Sequence, residues 1–159
     1  MPVETGNRGL FLDLVGTLVR MDETRQLPLG SMGEIVIDLM PNVAEKLAPI
    51  RDHLIFVVSN QAGIKRGRLR AEAVEAAMRE LDERLGGILT GWQFCPHDDD
   101  DHCACRKPRG GMIIELAQTY GVELPTSTMV GDQAIDAEAA RAAGVGRFVS
   151  AQDFFGWQR

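Results

Sequence analysis

The chain has 159 residues, of which 45% are hydrophobic and 25% charged, as expected for one soluble domain with a sizeable core. No stretch reaches the ~18–20 apolar residues of a membrane-spanning helix, and the N-terminus lacks the basic start and apolar run of a secretory signal. A net charge of −6 argues against a nucleic-acid or anionic-membrane partner. We therefore expect a cytoplasmic protein; the sequence does not indicate an oligomeric state.

The hydrophobic pattern alternates between strands and helices. In chain order it predicts a strand at 8–14, a short strand at 34–38 within a long irregular connection, a helix at 41–50, a strand at 53–60, a helix at 71–87, a strand at 91–95, a helix at 110–121, a strand at 128–132, a helix at 136–144 and a strand at 146–150. This alternation predicts a single Rossmann-like α/β domain over residues 1–159, with a mainly parallel sheet flanked by helices.

Three of the predicted strands end in polar residues, in LDLVGT, VSNQ and VGDQAID. Because ligands gather at the carboxyl ends of parallel strands, we expect Asp13, Ser59, Asn60 and Asp132 to meet, with Asp136 one helical turn further on. Carboxylates beside a hydroxyl suit Mg²⁺, and a carboxylate such as Asp13 can form an aspartyl-phosphate. Taken singly, each aspartate is equally consistent with a turn or helix cap.

Positive charge is concentrated in two short stretches. They hold seven of the 17 Lys and Arg residues: Lys65, Arg66, Arg68, Arg70, Arg106, Lys107 and Arg109. An acidic protein with two basic loops suits a small anionic ligand, such as a phosphorylated metabolite, better than a polymer. We expect Lys107 to reach the carboxylates as a fixed cation and Arg106 to bind an outer phosphate or carboxylate of the substrate. Solvated surface charge is the alternative for Arg68 and Arg70, and a loose basic loop for Arg106.

All three cysteines lie in one window, CPHDDDDHCAC at 95–105. Three thiolates and one imidazole form a structural zinc set, which indicates a zinc-stapled loop with Cys95, His97, Cys103 and Cys105 as ligands. Three cysteines cannot all pair as disulfides, and a cytosolic protein keeps its thiols reduced. His102 is an alternative to His97, and metal-free cysteines are the alternative to the whole site.

The motifs LFLDLVGTL, VVSNQAGIKRG, CRKP and MVGDQAID resemble, in this order, the four motifs of the haloacid dehalogenase superfamily of phosphohydrolases. SNQAGIKRG followed by CPH, CxC and RKPxxGM is similar to the zinc-containing branch without a cap domain, which includes heptose bisphosphate and histidinol-phosphate phosphatases. The resemblance covers roughly residues 8–150. It implies a Mg²⁺-dependent phosphatase that acts on a small phosphorylated metabolite of the sugar-phosphate or histidinol-phosphate type.

The resemblance also implies a role for each matched residue. The catalytic residues would be Asp13 as nucleophile, Ser59 as the hydroxyl that holds the phosphoryl group, and Lys107 as the neutralising cation. The substrate-binding residues would be Asn60, Lys65, Arg66 and Arg106. The magnesium ligands would be Asp13, the backbone carbonyl of Val15 and Asp132, with Asp136 supporting them from behind. The zinc ligands would be Cys95, His97, Cys103 and Cys105.

The chain departs from the family pattern at Val15, where the phosphatases carry a second aspartate as general acid and base. Since such catalysis contributes roughly 10²–10⁴-fold, we expect an attenuated phosphatase. Two alternatives stay open: a catalytically silenced relative that binds a phosphorylated ligand or a partner, and an enzyme of altered chemistry. Gln133 stands where many relatives carry lysine, which removes one possible phosphate contact, and the short acidic zinc loop leaves the substrate undetermined.

Overall fold

The computed structural model describes residues 6–158, and its centre is a five-stranded parallel sheet in the order β3-β2-β1-β4-β5. The strands are β1 Gly9–Leu12, β2 Leu54–Asn60, β3 Leu89–Cys95, β4 Thr128–Gly131 and β5 Arg147–Ser150. All four residues of the central strand β1 are buried. This explains why its sequence is a continuous apolar run, because helices cover both faces of a parallel sheet.

Five helices flank the sheet: α1 Val43–Leu47, α2 Ala71–Arg84, α3 Gly111–Tyr120, α4 Ala134–Ala143 and α5 Ala151–Phe155. Side chains of β1 alternate between two apolar clusters, as the period of a strand requires. Leu10 and Leu12 pack in the cluster that includes residues of α1, α2 and α5. Phe11 packs in the other cluster, with residues of α3 and α4. The predicted α/β class with a mainly parallel sheet is confirmed.

The predicted short strand at 34–38 is wrong. Ile35 makes only an isolated bridge to Leu29, around a turn at Gly33. The amide of Val36 donates to the carbonyl of Pro28 at 2.9 Å, but Pro28 has no N–H with which to continue a ladder. The connection between β1 and α1 is therefore irregular for most of its length.

The aromatic end of the chain docks on its own domain. Phe155 is buried and stacks on Trp157 at a centroid distance of 5.5 Å. The indole N–H of Trp157 donates to the carbonyl of Pro41 at 2.7 Å, and the Asn42 amide donates to the carbonyl of Phe155 at 3.0 Å. Within residues 6–158, no helix combines the length and apolarity that crossing a bilayer requires.

Candidate active site and metal centres

The carboxyl ends of β1 and β2 open into a cavity of about 250 Å³. Asp13, directly after β1, lines this cavity together with Ser59 and Asn60 from the end of β2. The amide of Asp13 donates to the carbonyl of Val130 at 3.0 Å, so the chain after β1 stays bonded to β4. Sheet order thus brings together side chains that are more than 40 positions apart in the sequence.

Lys107 is the buried cation of the site, with 3% of its surface exposed. Its ammonium donates to Asp13 Oδ1 at 2.7 Å, to Asp136 Oδ1 at 2.8 Å and to the carbonyl of Val58 at 3.1 Å. All three N–H donors of the ammonium therefore have an acceptor. This geometry holds a positive charge directly against the carboxylate that the sequence indicates as nucleophile.

Asn60 holds Lys107 in place. Its side-chain oxygen accepts from the backbone N–H of Lys107 at 2.9 Å, and its amide nitrogen donates to the Lys107 carbonyl at 3.0 Å. Both bonds fix the backbone of Lys107, and substrate binding by Asn60 stays a prediction. Ser59 is buried, and its hydroxyl accepts from Gln61 Nε2 at 2.8 Å.

Three carboxylates meet two cations at this centre, the Lys107 ammonium and the Arg25 guanidinium 3.5 Å from Asp132, which leaves one negative charge in excess. Burial raises the pKa of Asp13 from 3.8 to about 6; Lys107 opposes this rise, and Asp132 adds to it. Burial and the charge of Asp13 also raise the pKa of Asp136 against the effect of Lys107. For Lys107, burial would lower the pKa, but Asp13 and Asp136 outweigh it and the pKa is raised.

A divalent cation fits this donor set. Carboxylate oxygens of Asp13, Asp132 and Asp136 lie within 4.8 Å of one another, and a divalent cation would neutralise their excess negative charge. The Thr17 hydroxyl lies 3.2 Å from Asp13 Oδ2 and 3.4 Å from Asp132 Oδ1, so it links the two open carboxylates. Asp136 differs, since Lys107 occupies its Oδ1 and the amides of Asp132 and Gln133 donate to its Oδ2 at 3.2 and 3.1 Å. Asp136 therefore supports the site from behind.

Gly16 shapes the same centre. Its φ of +85° is rare for residues with a side chain, and a Cβ built there would lie 2.4 Å from Asp132 Oδ2. The preceding residue, Val15, lines the cavity and packs partly against the core. An apolar side chain thus stands where the family's phosphatases have an acid.

The cysteine–histidine cluster forms a second centre at the end of β3. Cys95 Sγ lies 3.5 Å from Cys103 Sγ and 3.4 Å from His97 Nδ1, and Cys105 Sγ lies 3.6 Å from Cys103 Sγ and 3.3 Å from His97 Nδ1. Ligands bound at about 2.0–2.3 Å around a tetrahedral zinc stand roughly 3.3–3.8 Å apart, so the set fits the ion. His102 is outside this group and ends the short 3-10 turn Asp99–Asp101 in a left-handed conformation.

The zinc loop, residues 95–105, leads directly into Lys107. The Gly111 amide donates to the carbonyl of Ala104 at 3.1 Å, and the Arg109 guanidinium donates to the carbonyl of Cys103. Each bond connects a residue that precedes Lys107 to one that follows it, so the two bonds join the zinc loop to the segment at the start of α3. An ion in the cluster would therefore help to hold Lys107 at Asp13.

The acidic run of the zinc loop pairs with the predicted substrate-binding cations. Lys65 Nζ lies 3.1 Å from Asp98 and 2.6 Å from Asp101, and Lys65 does not line the cavity. Arg106 Nε donates to Asp99 at 2.7 Å, while Arg66 and Arg106 both line the cavity. The positive charge at the cavity mouth is thus partly neutralised by the chain's own aspartates.

Sequence reasoning missed several polar residues of the site, among them Thr17, Gln61 and Arg25. Thr17 and Gln61 stand inside the quoted motifs GTL and SNQ, so adjacency to Asp13 and Ser59 is the signal that could have found them. Arg25 comes from the irregular loop after β1, lines the cavity and approaches Asp132 at 3.5 Å. No periodicity or motif in the sequence points to it.

The carboxyl end of the parallel sheet thus combines a cavity with a buried lysine that is bonded to two carboxylates. A family model described as HAD-hydrolase-like matches residues 104–149. D-glycero-beta-D-manno-heptose-1,7-bisphosphate 7-phosphatase of Pseudomonas aeruginosa is 44% identical over 91 residues, which are 55% of this chain and 51% of that protein. The protein of the same name from Haemophilus ducreyi is 31% identical over 153 residues, 88% of this chain and 80% of that one.

The crystal structure of D,D-heptose 1.7-bisphosphate phosphatase from Bordetella bronchiseptica, complexed with magnesium and phosphate, matches with a TM-score of 0.77. It is 28% identical, and the match covers 88% of this chain and 78% of that chain. The chain belongs to the haloacid dehalogenase superfamily, which confirms the resemblance found in its motifs. For the Pseudomonas relative, the match spans about half of that protein's length.

Proposed function

We propose that the protein is a magnesium-dependent phosphohydrolase that acts on a small phosphorylated metabolite through an aspartyl-phosphate on Asp13. The observation that carries this proposal is the Lys107 ammonium, 2.7 Å from Asp13 in a cavity next to Asp132. Similarity to heptose bisphosphate phosphatases supports a sugar phosphate as the substrate class.

In the first step, a carboxylate oxygen of Asp13 attacks phosphorus, and the bond from phosphorus to the leaving oxygen breaks. The electron pair leaves with that oxygen, and Lys107 neutralises charge on Asp13 and on the phosphoryl group. The buried Ser59 hydroxyl holds a phosphoryl oxygen, and Arg66 and Arg106 face the rest of the substrate. A bound Mg²⁺, held by Asp13, Asp132 and the backbone carbonyl of Val15, would supply further neutralisation of phosphoryl charge.

The second step, in which water attacks the phosphorylated Asp13, lacks its usual base. The carboxylates that line the cavity are Asp13 itself and Asp136, and Lys107 is bonded to both. Val15 cannot accept a proton from water. We therefore propose that hydrolysis of the aspartyl-phosphate is slow, by roughly the 10²–10⁴-fold that general base catalysis supplies.

The test compares Val15→Asp with Val15→Asn, two substitutions of nearly the same size as valine. With Mg²⁺ and a panel of sugar phosphates, the wild type is expected to release phosphate slowly and Val15→Asp at least ~10²-fold faster, because only the carboxylate transfers protons. Val15→Asn should stay near the wild type, and Asp13→Asn should release none. Acid-quenched wild type should retain labelled phosphoryl on Asp13.

The two alternatives give different results in this test. A silenced relative would bind the phosphorylated ligand without turnover in the wild type and in Val15→Asp. Altered chemistry would appear as an aspartyl-phosphate that forms in the wild type and passes its phosphoryl group to an acceptor other than water. Slow phosphate release that Val15→Asp accelerates is the result that supports the proposal.

We further propose that residues 1–159 act as one domain and that zinc staples the loop 95–105 through Cys95, His97, Cys103 and Cys105. The zinc would act structurally, because four protein ligands leave no open position for a substrate. A set of three reduced thiolates fits a reducing compartment, which supports a location in the cytoplasm.

A further inference from the structure

The loop between β1 and α1 delivers a cation to the candidate active site. Arg25 Nη2 lies 3.5 Å from Asp132 Oδ2. With the Gln133 amide oriented to accept, its oxygen takes hydrogen bonds from Arg25 Nε at 3.0 Å and Nη2 at 2.6 Å. Arg25 Nη1 makes no hydrogen bond to any residue within 6–158, and the side chain is about half exposed. The guanidinium is thus positioned with donors still free for a ligand.

The loop holds Arg25 in this position through the Asp22 carboxylate and two backbone hydrogen bonds, from the Asp22 amide to the Gln26 carbonyl at 2.8 Å and from the Arg25 amide to the Asp22 carbonyl at 3.0 Å. Asp22 Oδ1 accepts from the Thr24 amide at 2.8 Å and from the Gln26 amide at 3.0 Å, while Asp22 Oδ2 pairs with Arg68 at 2.9 Å. Arg25, between these two amides, has a φ of +65°, which side-chain-bearing residues rarely adopt. The turn therefore fixes the direction in which Arg25 leaves the backbone.

Arg25 lines the same cavity as Val15, where the acid is missing. Asp132 Oδ1 faces Thr17, which in turn contacts Asp13. The other oxygen, Asp132 Oδ2, faces Gly16 and Arg25, since a Cβ on Gly16 would lie 2.4 Å from it. The guanidinium and Gly16, the residue that follows Val15, therefore lie near the same oxygen of Asp132.

We propose that Arg25 stabilises the departing oxygen of the substrate in place of the proton that Val15 cannot donate. As the bond from phosphorus breaks, the electron pair stays on the oxygen, and Arg25 donates hydrogen bonds to it. Solvent water then protonates the alkoxide. Of the other cavity cations, Lys107 is bonded to Asp13 and Asp136, and Arg106 to Asp99. Arg66 also lines the cavity, so Arg66→Ala is measured beside Arg25→Ala and should slow cleavage of both esters equally. This inference rests on the proposed phosphoryl transfer to Asp13.

The test compares two phosphate esters in the presence of Mg²⁺: p-nitrophenyl phosphate, whose leaving group is stable as an anion, and glycerol phosphate, whose leaving group is an alkoxide. Release of nitrophenol or glycerol is measured in the first turnover, with enzyme in excess over the ester, because only this phase reports bond cleavage when the aspartyl-phosphate persists. Arg25→Ala is expected to slow glycerol release by ~10²-fold and nitrophenol release by less than about threefold. Arg25→Lys should fall between the wild type and Arg25→Ala for glycerol phosphate.

Arg20→Ala is the matched control, since Arg20 lies in the same connection and pairs with the exposed Asp38. It should leave both rates unchanged, and all variants should melt at the wild-type temperature. An equal loss for both esters in Arg25→Ala would mean that Arg25 only binds phosphate and would overturn the inference, as would no loss. A wild type that cleaves neither ester would instead refute the proposed function, and the inference with it.

Discussion

Two isosteric substitutions on either side of Lys107 are expected to change stability in opposite directions. In Asp13→Asn, the new side chain can satisfy every neighbour: its oxygen accepts from Lys107, and its nitrogen donates to the Thr17 hydroxyl, which donates to Asp132. The substitution also removes one negative charge from a centre where three carboxylates meet two cations. We therefore expect the magnesium-free protein to become more stable as it loses activity.

The pKa of Asp13 sets the size of this effect. A rise from 3.8 to about 6 is roughly two units, so ionised Asp13 lowers the free energy of unfolding by about 3 kcal/mol above pH 6. The folded protein holds this proton more tightly than the unfolded chain, so the cost is absent below about pH 4 and grows as the pH rises through 6. In Asp13→Asn, Lys107 donates to an amide oxygen instead of a carboxylate, and this weaker hydrogen bond offsets ~1–2 kcal/mol of the gain in the free energy of unfolding. The net gain is ~1–2 kcal/mol, a few degrees in Tm.

Asp136→Asn should behave in the opposite way. Both oxygens of Asp136 accept, one from Lys107 and the other from the amides of Asp132 and Gln133. An amide nitrogen in either position faces a donor, and the site is buried with 1% exposure. Since a buried donor left without an acceptor costs about 1–3 kcal/mol, Asp136→Asn should destabilise the protein.

Urea and thermal denaturation in magnesium-free buffer, without a chelator that would strip zinc, measures both variants at pH 7.5 and pH 4. The gain of Asp13→Asn should be present at pH 7.5 and vanish at pH 4. Added Mg²⁺ should stabilise the wild type more than Asp13→Asn. An Asp13→Asn protein less stable than the wild type at pH 7.5 would refute the charge balance inferred for this centre.

Two further predictions concern the metal centres. The purified protein should contain about one zinc per chain, and Cys105→Ser should lower both the zinc content and Tm because the loop loses a ligand; a Tm unchanged by a zinc chelator would contradict this. Gly16→Ala should weaken Mg²⁺ binding by at least ~10-fold, measured by calorimetry, because the new Cβ would overlap Asp132 Oδ2 and displace that carboxylate. Gly33→Ala, at a similar φ of +81° with nothing within 4 Å, is the control for backbone strain alone, and equal Mg²⁺ affinities in the two variants would argue against the steric effect.

The fold and the meeting of the strand ends were predictable because both follow from local patterns. Continuous apolar runs indicate strands covered on both faces, and the carboxyl ends of parallel strands share one edge. The convergence of Cys95, His97, Cys103 and Cys105 followed from their spacing within 11 residues.

The remaining features depend on contacts that no pattern carries. Asn60 bonds the backbone of a residue 47 positions away, so its clamp on Lys107 has no signature in sequence. Arg25 lies in an irregular loop whose shape is set by hydrogen bonds to Asp22. The strand predicted at 34–38 does not form. Its pairing with the preceding segment stops at Pro28, which has no backbone N–H to donate.

The position of β1 between β2 and β4 has a consequence for synthesis of the protein. As the chain leaves the ribosome, β1 can pair with β2 early, but its other edge stays uncovered until Thr128–Gly131 has emerged. The side chains of β1 are all apolar and are buried in the finished fold. Until then, the unpaired backbone groups at this edge of the unfinished chain can pair with other chains. Nascent chains that stall before residue 128 should therefore be the species most prone to aggregate.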